Sequence, residues 1–282
     1  MKIAIIIPAF NESELIGKTL DSLVLQTYKP ENLIVVDDNS TDNTAQIAQT
    51  YAEKYPWIKV IIKQSEAVHL PGSKVIQAFN YGLERLTTDY DIICKFDSDL
   101  IFPENYLEKV VKTFQKDPKI GMAGGFCYIE KNGNWEIESL TNKDHIRGAL
   151  KAYRKSCFTQ IGGLKPAMGW DTIDELLAQY HGWQIKTDES LHVKHLKPTG
   201  ATYSAKAKYK QGEAFYRMRY GFLLTTIASA KLASKKGNLQ FFKDYIKGYN
   251  LAKKSKLPFL VNAEEGDFIR KLRWQKIKEK LF

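Results

Sequence analysis

The amino-acid sequence predicts an α/β fold in which helices flank a largely parallel sheet. Two observations support this prediction. Short apolar runs alternate with amphipathic stretches through about the first 200 residues, which is the pattern of strands joined by helices. Polar and acidic residues directly follow the apolar runs, at the position where ligands bind in parallel sheets.

The first predicted strand covers residues 2–7 and is stopped by Pro8. This apolar run is too short for a signal peptide or a membrane span, so export is not expected. Asn132-Gly133 predicts a hairpin turn. The other elements are strands near 33–36, 58–62, 91–96 and 120–123, and helices near 13–25, 41–54, 73–86 and 104–116.

The composition is that of a globular protein with a substantial core, since 44% of the 282 residues are hydrophobic and 12% are aromatic. The three cysteines are odd in number and widely spaced, and they form no C-x-x-C pair. This pattern predicts neither a disulfide framework nor a zinc site, and it is typical of a reducing cytoplasm.

The net positive charge of the chain comes from its C-terminal part. Residues 1–200 carry 23 Lys and Arg against 26 Asp and Glu, whereas residues 201–282 carry 19 against 6. Two explanations are open. The region binds an anionic partner, which is a phospholipid surface or a phosphorylated substrate, or its helices simply have lysine-rich faces in water. No nucleic-acid partner is predicted, because the front part is acidic and the basic region matches no nucleic-acid-binding module.

Two carboxylates one residue apart, Asp97 and Asp99, follow the predicted strand at 91–96. Such a pair can ligate Mg²⁺ or Mn²⁺ while the ion keeps positions free for phosphate oxygens, although a solvated acidic turn has the same sequence.

A second acidic segment follows the predicted strand at 33–36. Ser40 or Thr41 is expected to cap the next helix, and Asp42 to lie in its first turn. Helix capping does not explain the adjacent Asp37 and Asp38, whose charges repel each other. An aspartate here is suited to accept a hydrogen bond from a nucleotide base.

Five segments occur in a recognisable order: P-A-F-N-E at 8–12, V-V-D-D-N-S-T-D at 35–42, N-Y-G at 80–82, D-S-D at 97–99 and F-T-Q-I-G-G-L at 158–164. Together they resemble the family 2 glycosyltransferases over about residues 1–200. The resemblance implies a Rossmann-like GT-A fold, with a nucleotide-binding half at about 1–100 and an acceptor half at about 101–200. A basic, aromatic-rich helical extension is then expected at 201–282.

The resemblance also implies an inverting, metal-dependent transfer from a nucleoside-diphosphate sugar, expected to be a UDP-sugar. The acceptor would be a hydroxyl of a glycan or glycolipid in cell-surface polysaccharide assembly, and the metal Mg²⁺ or Mn²⁺. Carried over residue by residue, the donor site would comprise Pro8, Phe10 and Glu12 in the nucleotide pocket, Asp38 at the base, Asp97 at the ribose and metal, and Asp99 as metal ligand.

Three further basic or imidazole groups are candidates for the donor site. Lys74 opens a predicted helix and is expected near the phosphates. Arg217 or Arg219, beyond the core, is expected near the leaving diphosphate. His195 resembles the histidine that many GT-A enzymes bring back to the metal or diphosphate, and its alternative role is structural.

The general base of such a transfer is an aspartate in an E-D pair, eleven residues before a glycine that precedes an aromatic residue. Counting back from Gly182 reaches Asp171, and the usual glutamate is replaced by Trp170. Asp174 and Glu175 lie one helical turn further on, so any of the three carboxylates is a candidate. Their alternative role is to complement the helix dipole.

Two other functions remain open at this stage. One is transfer to a polyprenyl phosphate, as in dolichyl-phosphate-mannose-type synthases, which the basic and aromatic C-terminal region favours. Another is a catalytically silent nucleotide-sugar-binding module, which is compatible with Trp170 in place of the usual glutamate. The region after residue 200 is expected either to rest peripherally on the inner face of the cell membrane or to pack on the GT-A domain.

Overall fold

The computed structural model describes residues 1–64, 72–138, 143–197 and 208–281. The boundary expected near residue 200 lies outside these residues. Within them the strands are β1 (Ile3–Ala9), β2 (Asn32–Asp37), β3 (Ile58–Ile62), β4 (Ile92–Phe96), β5 (Leu100–Ile101), β6 (Ile120–Lys131), β7 (Asn134–Ile137), β8 (Leu150–Arg154) and β9 (Gln184–His195).

The helices of the described residues include the four that the sequence predicts in the first half. They are α1 (Ile16–Val24), α2 (Thr44–Lys54), α3 (Lys74–Leu83), α4 (Tyr106–Lys116), α5 (Lys155–Gln160), α6 (Trp170–Tyr180), α7 (Lys210–Arg217), α8 (Gly221–Lys235), α9 (Gln240–Lys254) and α10 (Ala263–Leu281).

The strands form one mixed sheet in the order β3-β2-β1-β4-β8-β6-β9-β5, and β7 pairs with β6. Strands β1 to β4 are parallel, β8 is antiparallel to both β4 and β6, and β6 and β9 are parallel again. Burial of β1, β2 and β4 along their whole length explains their unbroken apolar runs, since helices cover both faces of a parallel sheet. The predicted α/β architecture is therefore confirmed.

The parallel register brings the acidic segments to the same edge of the sheet. Ala9 at the end of β1 pairs with Asp37 at the end of β2, and β4 runs beside β1 in the same direction. The loops that begin at Phe10, Asp38 and Asp97 therefore emerge together, as the sequence predicts.

Strand β6 continues well beyond the predicted end at residue 123. Two glycines, Gly124 and Gly125, follow that point, and a Cβ on Gly125 would lie 2.3 Å from the carbonyl oxygen of Leu191 in β9. The glycines are thus sites of close strand approach and do not end the strand. The strand ends at the predicted hairpin, where Asn132 and Gly133 have φ values of 51° and 80°, which suit a tight two-residue turn.

The start of α2 corrects the capping expectation. The helix begins at Thr44, and its N-cap residue, Asn43, makes no side-chain capping bond. Asp42 precedes the helix and accepts hydrogen bonds from the backbone N–H groups of Thr44 and Ser13. The hydroxyl of Ser40 is used elsewhere, because it accepts a hydrogen bond from the N–H of Asn11.

The expected C-terminal extension is helical over its described residues and packs on the sheet domain. Helix α10 contacts α6, where the rings of Phe268 and Tyr180 lie 5.5 Å apart, and Lys276 pairs with Asp144 at 2.7 Å. None of the helices in the described ranges combines the length and the apolar composition that a bilayer span requires.

Helices α7 and α9 cross at two glycines. A Cβ on Gly212 would lie 1.8 Å from the carbonyl oxygen of Tyr245, and a Cβ on Gly248 would lie 2.1 Å from that of Tyr209. This close crossing explains why the extension forms a tight helical unit.

Candidate active site

The nucleotide edge is formed by the loops that follow β1 and β2. Phe10 projects from this edge with 52% of its surface exposed, whereas Pro8 is buried within β1. Asn11 joins the two loops, because its N–H donates to Ser40 and its side-chain oxygen accepts from the N–H of Thr41 at 2.8 Å. Phe10 therefore presents an open aromatic face, and Pro8 has a packing role in the strand.

The adjacent aspartates after β2 point to different partners. Asp38 forms a 2.8 Å ion pair with Lys63, which follows β3. One carboxylate oxygen of Asp37 accepts from the N–H of Ser40 at 2.9 Å, while its other oxygen is buried without a hydrogen-bond partner among the described residues. The repulsion expected between these carboxylates is thus relieved by Lys63 and the loop backbone.

Glu12 lies beside the carboxylates of the D-S-D turn. Burial raises the pKa of Glu12 above its usual value, the 2.6 Å bond from Lys197 opposes this shift, and the charges of Asp97 and Asp99 add to it. A cluster of three acidic groups whose charges oppose one another is a setting that a divalent cation would stabilise.

Asp97 and Asp99 have distinct environments within this cluster. Asp97 pairs with the ammonium of Lys95, a buried lysine of β4 that also donates to the carbonyl oxygen of Gly148 at 3.1 Å. Asp99 faces His195, with 3.3 Å between its carboxylate and Nε2. Its other oxygen is buried and accepts no hydrogen bond from the described residues.

These groups fit the divalent ion that the fold family implies. An orphaned carboxylate oxygen beside an imidazole supplies oxygen and nitrogen ligands of the kind that Mn²⁺ accepts. Burial disfavours the charged imidazole of His195, but hydrogen bonds to Asp99 and Glu138 outweigh burial and raise its pKa to about 9. Binding of an ion to Nε2 would therefore release the proton of that nitrogen. The structure thus places His195, a predicted ligand of the metal or diphosphate, beside Asp99.

The three candidate base carboxylates on α6 are not equivalent. The side chain of Asp171, in the first turn, is 36% exposed, and its described ionic neighbour is His145 at 3.9 Å. The side chains of Asp174 and Glu175 are only 2% and 8% exposed. Of the three candidates, Asp171 is thus the one open to solvent, because the next helical turn points Asp174 and Glu175 into the core.

Both buried carboxylates hold Lys151 of β8, whose side chain is fully buried. The ammonium lies 2.8 Å from Asp174 and 3.2 Å from Glu175, and it also donates to the backbone carbonyl of Asp171. Burial alone would lower the pKa of Lys151, but the carboxylates outweigh it and raise that pKa. Lys151 thus fixes the first turn of α6, which carries Asp171.

Trp170 packs between the two buried lysines of the sheet. Its ring centroid lies 5.2 Å from the ammonium of Lys95 and 5.7 Å from that of Lys151, which are cation–π distances. These lysines are paired across β4 and β8. The tryptophan that replaces the expected glutamate is therefore a buried contact between the D-S-D turn and helix α6.

The remaining predicted basic residues lie on helices α3 and α7. Arg217 donates to the carbonyl oxygen of Pro258 and pairs with Glu213, and both contacts lie within the extension. Lys74 opens α3, as expected, and the preceding Gly72 lies against Ala167 in the segment that leads to α6.

Sequence reasoning missed the buried cations and the pair formed by Glu138 and Arg147 behind His195. Lys95 and Lys151 are each the charged residue within an otherwise apolar strand core, which is a usable signal because unpaired charges are not buried. Glu138 and Arg147 carried no comparable signal, since they lie on opposite sides of a segment with no motif.

Solved structures share this fold at low sequence identity. The mannosyltransferase PcManGT from Pyrobaculum calidifontis, in complex with GDP-Man and Mn²⁺, matches with a TM-score of 0.60 and 16% identity, covering 98% of this chain and 80% of that one. S. aureus TarS 1-349 in complex with UDP-GlcNAc matches with a TM-score of 0.57 and 17% identity, covering 96% and 81%. These likenesses establish a GT-A fold.

Curated relatives match over part of their length. The uncharacterized glycosyltransferase YibD of Escherichia coli is 27% identical over 163 residues, which is 54% of this chain and 45% of YibD. The poly-β-1,6-N-acetyl-D-glucosamine synthase of Staphylococcus aureus is 28% identical over 123 residues, 44% of this chain and 28% of the synthase. The chain spans about half the length, or less, of these relatives.

The model of the family described as glycosyl transferase family 2 matches residues 4–165. This match covers more than half of the chain and includes β1, β2, the D-S-D turn and β8. The chain belongs to glycosyl transferase family 2.

Proposed function

We propose that the protein is an inverting, metal-dependent glycosyltransferase that uses a nucleoside-diphosphate sugar. The observation that carries the proposal is the connection between the acidic turn and the exposed Asp171. Lys95 binds both Asp97 and the carbonyl of Gly148, and a Cβ on Gly148 would lie 3.1 Å from that of Asp171. A donor held at the turn would therefore have a carboxylate base close by.

In this mechanism Asp171 accepts the proton of an acceptor hydroxyl as its oxygen attacks the anomeric carbon. The new glycosidic C–O bond forms on one face while the bond to the diphosphate oxygen breaks on the other, which inverts the configuration. Asp99 and His195 would hold the Mg²⁺ or Mn²⁺, and this ion, when bound, supplies positive charge for the leaving diphosphate.

The donor is proposed to be a UDP-sugar. Asp38 is suited to accept the imide N–H of uracil, and the exposed ring of Phe10 is suited to stack on the base. TarS, which shares the fold, was solved with UDP-GlcNAc, whereas PcManGT was solved with GDP-Man. Competition between UDP- and GDP-sugars for the site distinguishes these two nucleotide classes.

The acceptor is proposed to be a hydroxyl of a glycan or lipid-linked glycan in cell-surface polysaccharide assembly. A relative that synthesises poly-β-1,6-N-acetyl-D-glucosamine supports this class. The accessible base on α6 also favours a hydroxyl, because an acceptor phosphate is already ionised at neutral pH and requires no base.

Peripheral contact with the cytoplasmic face of a membrane is a second part of the proposal. The start of α8 exposes the apolar side chains of Phe222, Leu223 and Ile227, and the outer face of α9 carries Lys243 and Lys247. Exposed apolar groups together with lysines favour the surface of an anionic bilayer. Co-sedimentation with phosphatidylglycerol vesicles, lost in F222S/L223S, would support this contact, and equal retention of the variant would contradict it.

The catalytic proposal is tested by following UDP release from UDP-sugars in the presence of oligosaccharide acceptors. Replacing Asp171 with Asn should lower kcat by about 10²–10⁴-fold, which is the usual contribution of a general base, and should leave nucleotide binding intact. Equal activity in Asp171→Asn would exclude this base. Nucleotide binding by a wild type that never turns over would instead favour the silent module.

A further inference from the structure

A buried chain of charged and polar groups leads away from the D-S-D turn. Arg147 lies 3.1 Å from the carboxylate of Glu138, the same carboxylate lies 3.1 Å from Nδ1 of His195, and Nε2 of His195 lies 3.3 Å from Asp99. All four side chains are largely buried, with Glu138 3% and His195 6% exposed. Asp99 and His195 belong to the proposed metal site, but Glu138 and Arg147 do not.

We propose that Glu138, supported by Arg147, is a positioning residue for the metal ligand His195. A carboxylate that accepts the hydrogen bond of Nδ1–H fixes the orientation of the ring and turns Nε2 towards Asp99. The imidazole is thereby held in the orientation in which Nε2 can ligate an ion on the Asp99 side. This inference rests on the metal site of the proposed function.

The fold delivers each member of the chain to this place. The end of β9 pairs with β5, so that His195 lies opposite Leu100. Leu100 directly follows Asp99 in the chain, which brings the imidazole beside the Asp99 carboxylate. Glu138 follows the hairpin strand β7, and its N–H donates to the carbonyl oxygen of Cys127 in β6. The hairpin therefore places a carboxylate behind the imidazole.

Arg147 completes the arrangement by compensating the buried negative charge. A buried carboxylate without a cation is costly, and the guanidinium beside Glu138 reduces this cost. Arg147 also argues against an ion among Cys127, Glu138 and His195, whose ligand atoms lie within 4.8 Å of one another. An ion there would compete with the guanidinium for Glu138, whereas the orphaned oxygen of Asp99 lies on the other side of the ring.

The first test measures Mn²⁺ affinity by electron paramagnetic resonance in the presence of UDP. Glu138→Gln should weaken Mn²⁺ binding by about 10–100-fold, the usual effect of losing such a partner of a ligand. Glu136→Gln is the matched control, because Glu136 lies two residues away, is 56% exposed and pairs with Lys131. This control should bind Mn²⁺ like the wild type.

The two proposals fail in different ways. If the wild type binds no Mn²⁺, the proposed metal-dependent function fails and this inference fails with it. If the wild type binds Mn²⁺ and Glu138→Gln binds it within twofold, the inference alone is overturned.

A second measurement needs no variant and covers the case in which Glu138→Gln does not fold. The ¹⁵N shifts of the His195 ring, recorded on the wild type with UDP and with Cd²⁺ as a diamagnetic substitute for Mn²⁺, report which ring nitrogen binds the ion. The proposal predicts an ion on Nε2 and a proton on Nδ1, next to Glu138. An ion on Nδ1 with the proton on Nε2 would overturn it.

Discussion

Replacing Lys151 with Met tests whether the buried ion cluster fixes helix α6. The substitution removes the ammonium that lies 2.8 Å from Asp174 and 3.2 Å from Glu175, while the long apolar side chain keeps much of the volume. Burial already raises the pKa of Asp174 above its usual value, although Lys151 opposes that shift. Without the lysine, two nearly inaccessible carboxylates would lose their main cation.

The expected magnitude follows from this geometry. Breaking a buried pair by removing one partner typically costs about 3–5 kcal/mol, because the remaining charge stays desolvated. For a chain of this size that loss corresponds to a fall of about 10 °C in Tm. Part of it can be avoided if the carboxylates take up protons, so the loss should be smaller at pH 5 than at pH 8.

Urea unfolding followed by circular dichroism at both pH values measures this cost. Lys143→Met is the matched control, because its pair with Glu189 lies 3.0 Å apart but both side chains are 69% exposed. An exposed pair contributes about 0–1 kcal/mol, so the control should unfold nearly like the wild type. If Lys151→Met were no more destabilising than this control, the buried cluster would not be what fixes α6.

Three further predictions concern the loops and helices around the site. Burial opposes ionisation of Asp42, but hydrogen bonds from Thr44 and Ser13 outweigh it and lower its pKa to about 2. Its stabilising contribution is therefore present above the unfolded pKa near 3.8 and is lost as the pH falls towards 2, so the stability gap to Asp42→Asn in urea titrations should close over that range. Phe10→Ala should weaken UDP binding by about tenfold in calorimetry, as expected for the loss of one base stack, without changing stability. Gly212→Ala should lose about 1–3 kcal/mol in thermal unfolding because its Cβ meets a backbone oxygen.

Each of these predictions has a control within the chain. Thr41→Val removes a hydroxyl beside Asp42 but no titrating group. If the difference in stability between the wild type and Thr41→Val also disappeared as the pH fell towards 2, the assignment to Asp42 would be contradicted. Leu25→Ala, which truncates a side chain that is 60% exposed, should leave UDP affinity unchanged. Gly17→Ala lies in a helix with its nearest neighbours at 3.6 Å, so it should be tolerated, unlike Gly212→Ala.

The sequence predicts those parts of the fold that depend on local patterns. Unbroken apolar runs identify β1, β2 and β4, since strands buried on both faces tolerate few polar residues. The hairpin at Asn132 is predictable because its turn requires positive φ at both residues. The end of β6 was predicted wrongly, because glycines needed for close approach to β9 have the same appearance in a sequence as glycines that end a strand.

The site was predictable where single residues follow strands and unpredictable where function depends on partners far along the chain. Asp99 follows its own strand, and His195 was identified through a resemblance. Lys63 and Glu138 are identified only when the sheet places them beside Asp38 and His195. The choice among the three acids of α6 likewise depends on which side of the helix Lys151 occupies.

The most direct measurement is a calorimetric titration with UDP-, GDP- and dTDP-sugars, with and without Mn²⁺, on the wild type and on Asp99→Ala. The proposed function predicts that a UDP-sugar binds the wild type in the presence of Mn²⁺, more weakly without the ion, and that Asp99→Ala loses the metal-dependent part. Binding that is equally tight with and without Mn²⁺, or that Asp99→Ala retains in full, would contradict a donor site built on Asp99 and His195.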